Sequence, residues 1–208
     1  MLKKLMATLA LGIGTAFAGP ADDLQQRLSG YESARAEFSQ FALSSDGDRA
    51  EESVGYFYVA RPDRFRWVTE QPFVQEIVSD GESIWIYDPD LDQVTRRPSG
   101  SHGNSAPALI LNGQISELQK QFSISRIDEN GPGISLFELR PLNPEGNTFA
   151  RIRLLFEQER LTELSMEDSL GQRSMLVLHD LEYNPELPQD IFEFSLPPGA
   201  DLIEDPGF

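Results

Sequence analysis

Two short runs of aromatic residues carry the most informative chemistry of this chain. Phe65 and Trp67 stand two residues apart. Trp85 and Tyr87 have the same spacing, and the two runs contain both tryptophans of the protein. In an extended strand each pair shares a face, because successive side chains point to opposite faces. Such a sheet surface is suited to holding an apolar molecule by contact rather than to reacting with it.

Histidine and cysteine, which often act as bases, nucleophiles or metal ligands, are scarce in this chain. The chain has two histidines and no cysteine. The lack of cysteine excludes disulfides, thiolate metal sites and a cysteine nucleophile. Ser101 directly precedes His102, and adjacent residues cannot form the usual nucleophile–base pair. His179 ends an apolar strand, and we interpret it as structural.

A row of alternating aspartates, Asp88, Asp90 and Asp92, resembles the start of a calcium-binding loop. Such a loop needs glycine at its sixth position and glutamate at its twelfth. This chain has Gln93 and Ser99 there. We therefore expect no metal site, no cofactor and no enzymatic activity.

The N-terminus predicts export. Lys3 and Lys4 precede an apolar run, and Ala16-Phe17-Ala18 matches a signal-peptidase cleavage pattern. The run is too short for a membrane-spanning helix. We predict that residues 1–18 are a signal peptide cleaved after Ala18, and that 19–208 form a single exported domain. The alternative is an uncleaved anchor.

The chain is strongly acidic, with a formal net charge of −17. This charge disfavours binding to nucleic acid and to anionic membrane surfaces, and it favours a basic partner. The competing explanation is an acidic proteome, in which the charge would say nothing about partners.

Apolar residues and turns predict an N-terminal helix followed by a long series of strands. Residues 20–28 fit a helix, with proline in the first turn, acids near the N-terminus and Gly30 after the end. Short alternating segments separated by turns, such as Asp80-Gly81, indicate an antiparallel meander. The predicted strands are 34–43, 53–60, 65–69, 74–79, 83–87, 93–97, 122–127, 134–139, 149–156, 161–166 and 174–181.

The region 99–121 interrupts these strands. A polar loop leads into a short apolar helix, 107–113, which starts with proline and ends with Asn-Gly, and a second helical piece follows. A sheet of about eleven strands curls under its own twist, and helices must cover its apolar concave face. We predict a mainly β fold, a curled antiparallel half-barrel with an N-terminal helix and a helical lid.

The order of several motifs resembles the LolA family, the periplasmic carriers of outer-membrane lipoproteins. The resemblance covers essentially all of the mature chain, and it rests on the ordered set rather than on one motif. The motifs are Arg61-Pro62-x-x-Phe65-x-Trp67, Ser79-Asp80-Gly81-x-x-x-Trp85-x-Tyr87-x-Pro89, Pro107-Ala108-x-x-Leu111 and Phe192-x-Phe194-x-x-Pro197-x-Gly199.

The resemblance implies an open half-barrel with a lid over a cavity for acyl chains. It implies that acylated lipoprotein cargo arrives from an inner-membrane ABC transporter and is delivered to the outer-membrane receptor LolB. The receptor shares the fold but is lipid-anchored, so the missing cysteine favours the soluble carrier. We expect a monomer. The short chain beyond Gly199 departs from relatives that carry a longer C-terminal strand extension.

The same resemblance suggests roles for individual residues. It implies that Arg61 hydrogen-bonds the lid and holds it shut without cargo, the alternative being a surface arginine at the start of a strand. Guanidinium suits a latch because it offers several donors to backbone carbonyls. Ordinary core packing remains the alternative for the expected lipid-contacting residues, which are Leu28, Phe65, Trp67, Trp85, Leu109, Ile110 and Leu111.

Two other classes of protein compete with a carrier. One is a sensor that binds lipid or peptide on the same fold. Transfer of a lipoprotein in stoichiometric amounts distinguishes a carrier from that sensor. The other is an integral outer-membrane barrel, which is disfavoured because charged residues interrupt most strands and because 204–208 cannot form a lipid-facing strand.

Overall fold

The computed structural model describes residues 19–43, 49–99, 106–127, 131–145 and 147–206. The predicted signal peptide, the turn at 46–48 and His102 lie outside the described residues. The described chain is mainly β, and its strands belong to one open, curled sheet. The predicted fold class is therefore confirmed.

The first helix, α1, spans Pro20–Ser29 and starts as its sequence predicts. Proline stands at the first helical position, where a missing N–H is harmless. The Asp22 carboxylate accepts a hydrogen bond from the Gly19 N–H at 3.0 Å, which caps the helix. Leu24 and Leu28, one turn apart, are both buried, so this face of α1 packs on the sheet.

The described sheet has twelve strands, which are β1 Ser33–Leu43, β2 Arg49–Ala60, β3 Arg64–Gln71, β4 Gln75–Ser79, β5 Ser83–Asp88, β6 Gln93–Pro98, β7 Phe122–Ile127, β8 Ile134–Pro141, β9 Phe149–Glu157, β10 Arg160–Asp168, β11 Arg173–Tyr183 and β12 Asp201–Glu204. Their order across the sheet is β12-β6-β5-β4-β3-β2-β1-β11-β10-β9-β8-β7. Eleven of them match the predicted strands, with ends that differ by a few residues. All neighbouring pairs are antiparallel except β12 with β6.

The register between strands decides which aromatic residues share a face. In the β2–β3 pair, Phe57 stands opposite Trp67 and Val59 opposite Phe65. Trp67 is in turn opposite Ile77 of β4, which faces Ile86 of β5. These side chains form the inner face of the sheet.

The main core lies between that inner face and three helices. The helices are α1, α2 at Ala106–Leu111 and α3 at Ile115–Gln121. α3 continues directly into β7, so its C-terminal end is fixed to the sheet. Within the part of the chain that the structure describes, no helix combines the length and the apolar character needed to cross a membrane.

The outer face is crossed by the chain between β11 and β12, residues 184–200, here called the outer strap. It passes from the middle of the sheet to one edge. Arg66 of β3 donates a hydrogen bond to the carbonyl oxygen of Ile191 at 3.1 Å. Phe194 stacks on Trp85 with ring centres 5.3 Å apart. A small second core forms under the outer strap, where Val78 is fully buried.

Candidate functional site

An aromatic stack forms the floor of the hollow side of the sheet. The Trp67 ring lies 4.2 Å from the ring of Phe38 and 5.5 Å from that of Phe57, measured between centres. The planes differ by 28° and 4°, so these rings stack with an offset. Trp67 and Phe65 are half-buried and pack against the main core. This apolar surface lies on the side of the sheet that the helices cover.

Helices α2 and α3, together called the lid, cover this floor. The side chains of Leu109 and Ile110 are fully buried beneath α2, and Leu111 is half-buried at its end. Ile115 and Leu118 of α3 are buried as well. The expected lipid-contacting residues of α2 therefore pack into the space between this helix and the sheet.

A glycine turn closes the lid helix. The Gly113 N–H donates to the carbonyl of Ile110 at 2.9 Å, and the Gln114 N–H donates to that of Leu109 at 2.8 Å. Gly113 has a φ of +64°, which only glycine adopts easily. Two of the carbonyls that end α2 are therefore satisfied within the lid itself.

A narrow apolar recess remains beside the end of α2. Its volume of about 10 Å³ is close to the minimum for one water molecule. An acyl chain cannot enter this recess while the lid is closed, so binding there requires α2 to move. The residues that line it are Tyr31, Ala34, Phe57, Val59, Leu111, Leu161, Leu178, Leu181 and Tyr183.

Arg61 lies at the junction of the lid, α1 and β2. Its guanidinium donates a hydrogen bond to the carbonyl of Leu28, the expected lipid-contacting residue that stands in the last turn of α1. It also occupies the space that a side chain at Gly113 would need. The Nε atom is buried and has no hydrogen-bond partner among the described residues. Arg61 thus touches the lid turn, while its described hydrogen bond goes to the first helix.

Tyr31 is a lid contact that the sequence analysis did not identify. Its hydroxyl donates to the carbonyl of Leu111 at 3.0 Å, across 80 positions of sequence. The Arg61 Cζ lies 4.0 Å from the centre of the Tyr31 ring, and Tyr183 stacks on that ring at 4.7 Å. Burial raises the pKa of the Tyr31 hydroxyl, although Arg61 opposes the shift, so the hydroxyl remains a donor. No local sequence pattern marks such a long-range contact.

The structure does not bring Trp85 to the hollow side. Trp85 faces Val78 across β4–β5, whereas its neighbour Ile86 faces the inner row. Its ring stacks on Phe194, and Arg96 lies 4.9 Å above it. Trp85 therefore packs in the second core beneath the outer strap, on the opposite face from Trp67.

Most of the chain matches a known protein family. The family model described as "Outer membrane lipoprotein carrier protein LolA" matches residues 29–195. The chain belongs to the LolA family. Two relatives named outer-membrane lipoprotein carrier protein are similar to it, from Chromohalobacter salexigens and Pseudomonas paraeruginosa. They are 38% and 35% identical, and the alignments cover 97% of this chain and 95% and 100% of theirs.

A solved structure has a similar fold. An uncharacterized conserved protein from Thermus thermophilus superimposes with a TM-score of 0.60 at 14% identity, covering 89% of this chain and 99% of that one. At this identity the similarity concerns the fold alone.

Proposed function

We propose that this protein is an exported, periplasmic carrier that binds the acyl chains of lipoproteins under its lid. Membership of the LolA family and the carrier names of its relatives support the lipoprotein as cargo. The observation that carries the proposal is the hollow side itself. Its aromatic floor is covered by Leu109 and Ile110 of the six-residue helix α2. Acyl chains could replace these apolar side chains if α2 moved away.

The energetics of that exchange explain how a carrier can release its load. Each buried methylene group contributes roughly 0.8 kcal/mol, so a lipoprotein with several acyl chains is held strongly by membranes. In the carrier, loading displaces lid side chains that were already buried. The net affinity is the difference between two apolar contacts, which allows transfer without any reaction by this protein.

The proposed partners follow from this scheme. An inner-membrane ABC transporter supplies the energy for extraction and hands over the lipoprotein. The receptor LolB at the outer membrane then accepts it. The carrier works as a monomer, without a cofactor, and Arg61 holds the lid closed while no cargo is present.

The decisive experiment is a transfer assay with the mature protein and one purified triacylated lipoprotein. The carrier is expected to bind the lipoprotein in a one-to-one complex and to pass it to LolB in a soluble form. Mass spectrometry of the protein isolated from its own envelope should detect the acylated polypeptide. Binding without onward transfer would favour the sensor, and absence of binding would refute the proposal.

A further inference from the structure

We propose that Tyr31 fastens the α2 helix of the lid to the body of the protein, and that Arg61 acts on α2 through it. The inference rests on the proposed function only in treating α2 as a part that opens. Tyr31 lies in the loop between α1 and β1, and in the closed state it provides a hydrogen bond from the body of the protein to α2.

The hydrogen bonds at the end of α2 support this assignment. The carbonyls of Leu109 and Ile110 are bonded within the lid, so they hold the turn together but do not tie it to the sheet. The carbonyl of Leu111 instead accepts the Tyr31 hydroxyl. This bond joins the moving part to the body of the protein.

The surroundings of the Tyr31 ring make the tie rigid. Tyr31 is only 5% exposed. Its ring contacts the Arg61 guanidinium and stacks on Tyr183 at an interplanar angle of 19°. Arg61 is itself held by the Leu28 carbonyl at the end of α1. The Arg61 guanidinium therefore fixes the orientation of the Tyr31 ring. This orientation places the Tyr31 hydroxyl within hydrogen-bonding distance of the Leu111 carbonyl.

Another polar contact of the lid is weaker. The side-chain amide of Gln114 reaches the carboxylate of Asp63 at 3.5 Å in an exposed position. At that length and exposure the contribution is small. The 3.0 Å bond of Tyr31 is part-buried and shorter, so its loss should have the larger effect on lid opening.

Hydrogen exchange of the cargo-free mature protein tests the first half of the proposal. Tyr31→Phe keeps the ring and removes only the hydroxyl. We expect amides of 106–121 to exchange about three- to tenfold faster, the range for one lost hydrogen bond, while those of β9 and β10 do not change. The control is Tyr183→Phe, because the hydroxyl of Tyr183 forms no hydrogen bond to the described part of the lid. Wild-type exchange in Tyr31→Phe, or equal acceleration in both variants, would overturn the proposal.

A double-mutant comparison tests the second half. If Arg61 acts through Tyr31, amide exchange in the lid of the variant Tyr31→Phe/Arg61→Leu should be no faster than in whichever single variant exchanges faster. Acceleration factors that multiply would show that Arg61 holds the lid independently. These measurements need no cargo. A wild-type protein that fails to bind lipoprotein would therefore refute the carrier function and leave the result for Tyr31 standing.

Discussion

At the scale of single residues, strand register places the two tryptophans on opposite faces of the sheet. Both stand in aromatic pairs with the same spacing. Trp67 belongs to the floor of the hollow, in contact with Phe38 and Phe57. Trp85 instead packs with Phe194 beneath the outer strap. One ring lies on the inner face under the lid, and the other packs against the chain that crosses the outer face.

This difference predicts opposite effects on lipid binding. Trp67→Ala should weaken binding of a dansylated fatty acid about tenfold and lower the free energy of unfolding by about 3 kcal/mol. Trp85→Ala should destabilise the fold but leave the affinity for the probe unchanged. Fluorescence titration and urea unfolding measure the two effects. Equal losses of affinity in the two variants would contradict the assignment of faces.

Replacing the cation at the lid junction should impair delivery. Arg61→Leu removes the hydrogen bond to the Leu28 carbonyl and adds apolar surface beside Gly113. The closed empty form loses stability, so cargo should be held more tightly and transferred to the acceptor about tenfold more slowly.

The control for this change is Arg64→Leu. Arg64 lies three residues away and contacts Phe192 of the outer strap. Its replacement should leave the transfer rate unchanged. A wild-type rate for Arg61→Leu in the same transfer assay would count against the latch.

At the scale of elements, the lid turn is the most constrained link between sheet and helices. Gly113 combines a positive φ with crowding, since a β-carbon there would meet Arg61 and the Leu28 carbonyl. Gly171, in the β10–β11 turn, has a φ of +81° but open space around it. Comparing Gly113 with Gly171 therefore separates the effect of backbone strain from the effect of crowding.

Substitution by alanine at these two glycines should therefore differ. Gly171→Ala is expected to lower the free energy of unfolding by about 1 kcal/mol through strain alone. Gly113→Ala should lower it by more, about 2–4 kcal/mol, and should accelerate amide exchange in α2. Urea unfolding combined with hydrogen exchange measures both. The same loss in the two variants, with no change in α2, would show that crowding at the lid is unimportant.

The elements were largely predictable because their signals are local. Proline and glycine positions give the bounds of the lid helices, and alternation gives eleven strands. β12 has no such signal, since Leu202 and Ile203 are adjacent and both exposed. The bond from Tyr31 to Leu111 depends on strand register and chain path, which alternation alone does not determine. Strand register and chain path also decide that Trp85 lies on the outer face of the sheet.

At the scale of the whole molecule, acidic residues outnumber basic ones, and arginine side chains form ion pairs with some of the carboxylates. Glu138 on the outer face is 7% exposed and accepts hydrogen bonds from Arg140 at 2.7 Å and Arg153 at 2.8 Å. Burial alone would raise the pKa of Glu138, but the two guanidinium groups outweigh it and hold the pKa below the ordinary value of 4.5. The carboxylate is therefore charged in the native state at neutral pH.

This ion cluster predicts a loss of stability in acid. Because the native pKa is depressed, the contribution of Glu138 is present above pH 4.5 and is lost as the pH falls through the lower native value. Glu138→Gln should reduce the free energy of unfolding by about 2 kcal/mol at pH 7 and flatten its decline below pH 4.5. Urea titrations from pH 7 to 3 measure the profile. The exposed Glu145→Gln is the control, and identical profiles for the two variants would refute the role of the cluster.

The outer strap has a mechanical consequence for the empty and the loaded states. It runs from the end of β11 across six strands to β12, and Arg66 and Trp85 fasten it on the way. Flattening the sheet would stretch the outer strap and break these contacts. We therefore expect the sheet to keep its curvature when a lipoprotein binds, so that space for the acyl chains comes from displacement of α2 on the opposite face.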